Sequence, residues 1–261
     1  MEFLKEVWKN KRVLCSMVKN DFVNRFANTS LGAIWGFVSP IVLIVLYAFV
    51  FEYILKLNTA GEYPYLVWFL PGIVMWTFLN DAILNTTNSI REYSYLVKKI
   101  VFPIDIIPLI KVFSTFIVAA VMLAIVIAIS FFNGFLPNLI MLIYYTLAAI
   151  FFIIGITRLT SALSVMLGDI AQVVPVIMQL MFWATPTVWN IAIVDDKIAN
   201  IIKFNPLAYL VCGYRDVFIN GSIFSDNNYI FTIVFWIIAV LVFIYGNIIF
   251  NKNKDEFSDV I

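Results

Sequence analysis

Charge-free, mostly apolar runs alternate with short polar intervals along this sequence. Six such runs stand out, at residues 26–51, 63–80, 112–132, 135–157, 170–194 and 229–250. About 20 residues of this kind cross the hydrocarbon of a bilayer. Water is absent there, so each run must satisfy its own backbone as a helix. The pattern predicts an all-α membrane protein with six transmembrane helices over residues 26–250. Asn133-Gly134 breaks the third span from the fourth, and Pro137 suits the first turn of the fourth. Pro40, Pro71, Pro175 and Pro186 fall within runs. In membranes such prolines mark kinks or breaks that open space for a ligand path.

The polar intervals carry patterns of their own. On a helix over residues 2–25, Phe3, Val7, Leu14 and Val18 share one face, while Lys5, Lys9, Arg12 and Lys19 line the other. Lys11 and Asp21 interrupt the apolar stripe. This predicts an amphipathic helix lying along the inner membrane surface, with a soluble arm as the competing reading. Residues 91–103 mix charges, aromatics and aliphatics in one short loop between spans two and three. Two readings fit it equally: a docking surface for another protein and an ordinary positive loop. Within 195–228, the apolar stretch 206–219 is too short to span, and it reads as a re-entrant or interfacial helix. Residues 251–261 form a polar tail.

Lysine and arginine set the orientation. With the N-terminus inside, thirteen basic residues collect on the cytoplasmic side, leaving four (Lys56, Lys197, Lys203 and Arg215) outside. Both termini are therefore expected in the cytoplasm. Residues 1–25 are charged throughout, with no apolar run ahead of a small-residue cleavage site, so no cleavable signal is expected.

Composition narrows the chemistry. Of 261 residues, 63% are hydrophobic and 13% charged, half the charged share of a soluble domain. A net charge of +1 gives no electrostatic footprint for nucleic acid. There is no histidine, and Cys15 and Cys212 share no motif, so neither a metal site nor a catalytic residue is expected. No Gly-rich phosphate loop followed by Lys and Ser or Thr is present. Any energy from ATP must come through another chain. Asp81, Lys111, Arg158 and Asp169 lie near span ends, where snorkelling to water is the ordinary expectation. Aromatics make up 17%. Trp35, Tyr47, Phe182 and Trp183 are candidates to line a path for a glycan, whose sugar C–H faces stack on rings. Lipid-facing packing is the competing reading for each.

Four stretches resemble one family. They are Asp21-Phe22 through Asn28-Thr29-Ser30-Leu31-Gly32-Ala33-Ile34-Trp35-Gly36 and Pro40; Tyr95–Pro103 with Pro108; Phe182-Trp183-Ala184-Thr185-Pro186-Thr187-Val188-Trp189; and Asn205-Pro206-Leu207 with Tyr214-Arg215. In this order and spacing the chain resembles the membrane subunit of type-2 ABC exporters that move lipid-linked polysaccharides, the O-antigen and teichoic-acid permeases. It departs at Gly168-Asp169, where that family carries Arg-Asp.

The resemblance implies a type-2 exporter fold and a homodimer bound to two cytoplasmic ABC ATPase subunits, which hold ATP and magnesium. It implies a glycan on an undecaprenyl-diphosphate carrier as cargo and the bacterial inner membrane as location. Coupling to the ATPase then falls to Arg91, Glu92, Tyr95, Lys98 and Lys99, and an outer gate to Asn205, Pro206, Tyr209, Tyr214 and Arg215. Lys19 and Arg25 are candidates for the carrier diphosphate. Other readings are a type-2 permease for a drug or small lipid, an ion-coupled transporter, and a membrane glycosyltransferase. Few mid-span charges speak against the second, and the third would need an exposed acidic site such as Asp195-Asp196.

Overall fold

The computed structural model describes residues 2–25, 30–54, 63–98, 102–219 and 229–260. Every regular element among them is helical. In chain order these are α1 Glu2–Lys9, α2 Lys11–Asn24, α3 Trp35–Ala48, α4 Tyr65–Thr87, α5 Ser89–Glu92, α6 Ser94–Val97 and α7 Ile107–Phe132. There follow α8 Leu139–Met166, α9 Ile170–Ala184, α10 Asp196–Lys203, α11 Pro206–Ile219, α12 Tyr229–Asn253 and α13 Phe257–Val260. Four helices are long and apolar enough to cross a membrane: α4, α7 with the turn Ile104–Ile106 ahead of it, α8 and α12. The chain is a multi-pass membrane protein.

The first and fifth runs hold shorter apolar helices. α3 ends in a π turn, Phe49–Ile54. α9 stops at Ala184 although the uncharged run continues to Val194. Thr185 turns extended, at φ −103° and ψ 137°, because Pro186 excludes the helical conformation before it. Pro40, Pro71 and Pro175, in contrast, sit inside helices. Four helices overrun their uncharged runs, so that α4 contains Asp81, α7 contains Lys111, α8 contains Arg158 and α12 contains Lys252.

The turn between α7 and α8 follows from its residues. Gly134 takes φ 84°, and the Phe135 amide reaches back to the Ser130 carbonyl at 2.9 Å. This left-handed closure suits glycine. Pro137 lies ahead of the helix rather than in its first turn. Asn138 is the cap, its side chain accepting from the amides of Ile140 and Met141.

α4 is the hub, buried among α7, α8, α9 and α11. α12 lies along α8, where Gly155 and Gly246 let the two backbones touch; a Cβ on either would overlap its neighbour. Residues 2–24 form two helices, not one, with the break at Asn10. Phe3, Val7, Leu14 and Val18 do share a face, packed on Ile106, Leu109 and Ile110. Trp8 is exposed, with the Lys11 ammonium 4.4 Å over its ring.

Candidate functional site

Asp21, which interrupts the apolar stripe of the N-terminal segment, is buried. Its carboxylate accepts from the Tyr93 and Ser114 hydroxyls, each at 2.6 Å, and meets Lys111 Nζ at 2.8 Å. Lys111 continues to Glu92 at 2.7 Å, while Arg25 lies 3.5 Å from Asp21 and donates to Ser114 at 3.2 Å. Burial pushes the Asp21 carboxyl up. Hydrogen bonds from Lys111, Ser114 and Tyr93, with the Lys111 charge, outweigh it and hold the group below its ordinary value. Burial and the bond to Asp21 together push the Tyr93 phenol well above its own. One carboxylate thus ties α2 to the α5–α6 loop and to α7.

A lowered carboxylate stabilises above its unfolded value and loses that contribution as pH falls through the folded one. Asp21→Asn is therefore expected to cost about 1.5–3 kcal/mol at neutral pH. The penalty should shrink once pH drops below the ordinary value of 3.8. Thermal unfolding of the two proteins as a function of pH measures this.

The candidate coupling residues divide. Arg91 donates to the Val165 carbonyl at the end of α8 at 3.2 Å, and Glu92 holds Lys111. Tyr95 and Lys98 are exposed. Lys99 lies outside the described residues. Of the candidate diphosphate contacts, Lys19 is exposed, whereas Arg25 is engaged by Asp21 and Ser114.

Arg158 does not snorkel. It is fully buried, 2.8 Å from Asp105 and 3.2 Å from the Asn251 side-chain oxygen. Its guanidinium lies between the rings of Phe3 and Phe250, at 4.3 and 4.0 Å. Lys254 approaches Asp105 at 3.5 Å. This cluster joins α1, α8, α12 and the turn before α7. Asp169, the acid nearest to Arg158 in the sequence, is exposed instead.

At the other end of the bundle, two proline-containing stretches meet. The carbonyls of Pro186 and Thr187 lie in the turn that follows the end of α9. Arg215 of α11 donates to both. Its guanidinium stacks on Trp68 at 3.9 Å and covers Gly72 of α4, where a Cβ would overlap it. Asn205 caps α11 by accepting from the Leu207 amide at 3.0 Å, and donates to the Thr185 hydroxyl at 3.3 Å. Pro206 fills the first helical position, where its missing N–H costs nothing. The Tyr209 hydroxyl lies 3.0 Å from that of Tyr144 and donates to Thr232 at 3.1 Å; the Tyr214 hydroxyl lies 2.9 Å from that of Thr146. Tyr209, Tyr214 and Arg215 therefore point inward as anchors. Beside them opens a cavity of about 250 Å³ bounded by Trp68, Lys203, Tyr209, Arg215 and Asp216.

Of the candidate path residues, Trp35 and Trp183 are exposed. Tyr47 and Phe182 are half-buried and border one cavity between α3, α4, α7 and α9. Along α9, Val173, Val176, Ile177, Leu180 and Trp183 are exposed at helical spacing and form one uncovered stripe. Sequence reading missed Asp105, Gly72 and the pairing of Trp68 with Arg215. The signal for Gly72 was available: a small residue in a bulky apolar run marks close approach in a membrane helix.

Residues 12–219 match the profile of the ABC-2 type transporter family. The chain belongs to this family. It is thus a membrane subunit of transport. Three O-antigen export system permease proteins, each RfbA, are similar to it. One from Klebsiella pneumoniae is 25% identical over 252 residues, covering 95% of each chain, and another from that organism is 26% identical over the same length. One from Myxococcus xanthus is 20% identical over 265 residues, all of both chains. The family match in this ABC-2 permease takes in the Asp21 cluster and the Arg215 latch.

Proposed function

We propose that this ABC-2 permease exports a lipid-linked polysaccharide, an O-antigen or teichoic-acid type polymer on undecaprenyl diphosphate, across the bacterial cytoplasmic membrane. The observation that carries the reading is likeness along 95% of the chain to O-antigen export permeases. The chain has no phosphate loop, so ATP and magnesium belong to a separate cytoplasmic ATPase. In this reading α3 and α9 complete six spans, both termini are cytoplasmic, and α10 and α11 form the outer, re-entrant segment. A second copy covers the uncovered stripe of α9, and the glycan passes between copies along Trp35, Tyr47, Phe182 and Trp183. Lys19 contacts the diphosphate; Arg25 does so only by leaving Asp21.

Depletion in the native host tests export. Surface glycan is expected to fall while lipid-linked polymer accumulates inside the inner membrane. Normal surface glycan with no internal build-up removes the polysaccharide reading.

The outward pair Tyr95 and Lys98 suits the ATPase contact, because Val97 and Ile90 anchor the loop on Ile107, Val165 and Phe257. Lys98→Glu is expected to weaken ATPase binding by roughly tenfold, since like charge at a contact is unfavourable. Co-purification and export measure it; unchanged binding with unchanged export rejects the assignment.

A further inference from the structure

The cavity between α3, α4, α7 and α9 has a volume of about 340 Å³, within the range of small-molecule sites. Its aromatic wall is ordinary for a membrane protein; its polar wall is not. Ser39 of α3, Thr77, Asn80 and Asp81 of α4 and Thr115 of α7 all border it. At 1.5 Å per residue, Asp81 sits about 9 Å inside the end of α4. A carboxylate inside a spanning helix is costly; it ordinarily faces the bundle interior or a cavity and is kept with a partner. Among the described residues no lysine or arginine forms an ion pair with it. Arg25, whose charge reaches Asp81 without contact, is engaged by Asp21 and Ser114, and Lys111 and Arg158 by Asp21, Glu92 and Asp105. Asn80 donates to one Asp81 oxygen at 3.1 Å.

Thr115 is the second anomaly. It is 3% exposed, and its hydroxyl has no hydrogen-bond partner. Thr77, Thr86, Thr87, Thr146 and Thr157 each donate to the carbonyl four residues back. Thr115 does not, and buried hydroxyls without partners are rare. A carboxylate with no cation in contact and a threonine whose hydroxyl has no partner therefore border one cavity, with Trp76 and Phe182 meeting edge-on at 5.5 Å along its apolar side.

We infer that this cavity is a subsite for one sugar ring. Neighbouring ring hydroxyls donate to Asp81, a further hydroxyl meets Thr115, and the C–H face rests on Trp76 and Phe182. The inference rests on the polysaccharide reading and deepens it by naming where a sugar is held. A hydroxylated ligand fits better than a cation, because the site offers hydroxyl and amide groups beside its single carboxylate.

The test uses the permease with its ATPase in nanodiscs and a diazirine-bearing octyl glucoside as photoprobe. Label is expected on the α4 peptide around residues 73–78, displaced by excess octyl glucoside but not by octylammonium or octyl tetraethylene glycol ether. Asp81→Ala is expected to reduce labelling roughly tenfold, as loss of a charged hydrogen-bond acceptor does. Thr115→Val keeps the shape and breaks no hydrogen bond made in the fold, so it serves even if Asp81→Ala does not assemble. It is expected to reduce labelling several-fold. Displacement by octylammonium would make this a cation site, and displacement by the ether an apolar groove; either overturns the inference, as does full labelling in Thr115→Val. Unchanged labelling in both variants, with surface glycan lost on depletion, sinks the subsite alone. Normal surface glycan on depletion sinks the export reading, whatever the probe does.

Discussion

Arg158→Met is expected to destabilise the permease by about 3–5 kcal/mol, the cost of leaving one half of a buried ion pair behind. Asp105 stays buried when its partner goes, and Lys254 at 3.5 Å is half-exposed and replaces only part of the lost field. That cost is a large fraction of the 5–15 kcal/mol that typically holds a domain together. The purified protein should melt earlier and accumulate less. Arg158→Lys should not rescue it. A lysine carries the charge but not the planar group that lies between Phe3 and Phe250 while bonding Asp105 and Asn251. The double change Arg158→Met with Asp105→Leu separates charge from shape. It removes both desolvation costs, so it should recover most of the loss. A double variant as unstable as the single one would mean that packing, not charge balance, is what Arg158 supplies. Fluorescence-detected size exclusion after a heat ramp reads all of these.

Several parts of this fold were legible because they depend on neighbours in sequence. Residues 112–132 and 229–250 carry uncharged apolar runs, and the helices there, α7 and α12, contain them. Asn133-Gly134 marks a turn because glycine accepts positive φ. What escaped depends on partners far along the chain. Asp21 breaks a helical stripe when read locally; Lys111, ninety residues later, turns it into an interior contact. Arg158 sits near the end of an uncharged run, yet α8 continues past it to Met166 because Asp105 from another element neutralises it. The same limit applies to the outer segment. Asn205, Pro206 and Arg215 were readable as a set, but not their direction. An arginine on a short apolar helix looks like an exposed charge until the open carbonyls after α9 are brought beside it. Pro186 was readable as a kink or break alongside Pro40, Pro71 and Pro175, but not that it alone of the four would end its helix, at Ala184.

Gly72→Ala and Arg215→Met are expected to impair export to a similar degree, and the double variant to be no worse than Arg215→Met alone. Arg215 is buried, and its charge is met by two carbonyls and the face of Trp68 rather than by a carboxylate in contact. Two charge-assisted hydrogen bonds at about 1.5–3 kcal/mol each, with about 2 kcal/mol from the ring, are comparable to the several kcal/mol of burying one cation. The latch is therefore close to neutral for stability, and Arg215→Met should shift the melting temperature far less than Arg158→Met. Its contribution is position: it joins the end of α9 to α4 and α11. Gly72 tests that without touching the charge. A methyl group there overlaps the guanidinium, which its bonds to Pro186 and Thr187 hold in place. Alanine must push Arg215 off one carbonyl or the other. Once methionine has removed the guanidinium, the methyl at residue 72 has nothing charged to displace. Residues sharing one interaction couple in this way, whereas independent sites add. Surface glycan measured across the four proteins gives the coupling directly. If the two losses simply add, Gly72 acts through helix packing alone and the latch is not the link between α4 and the end of α9.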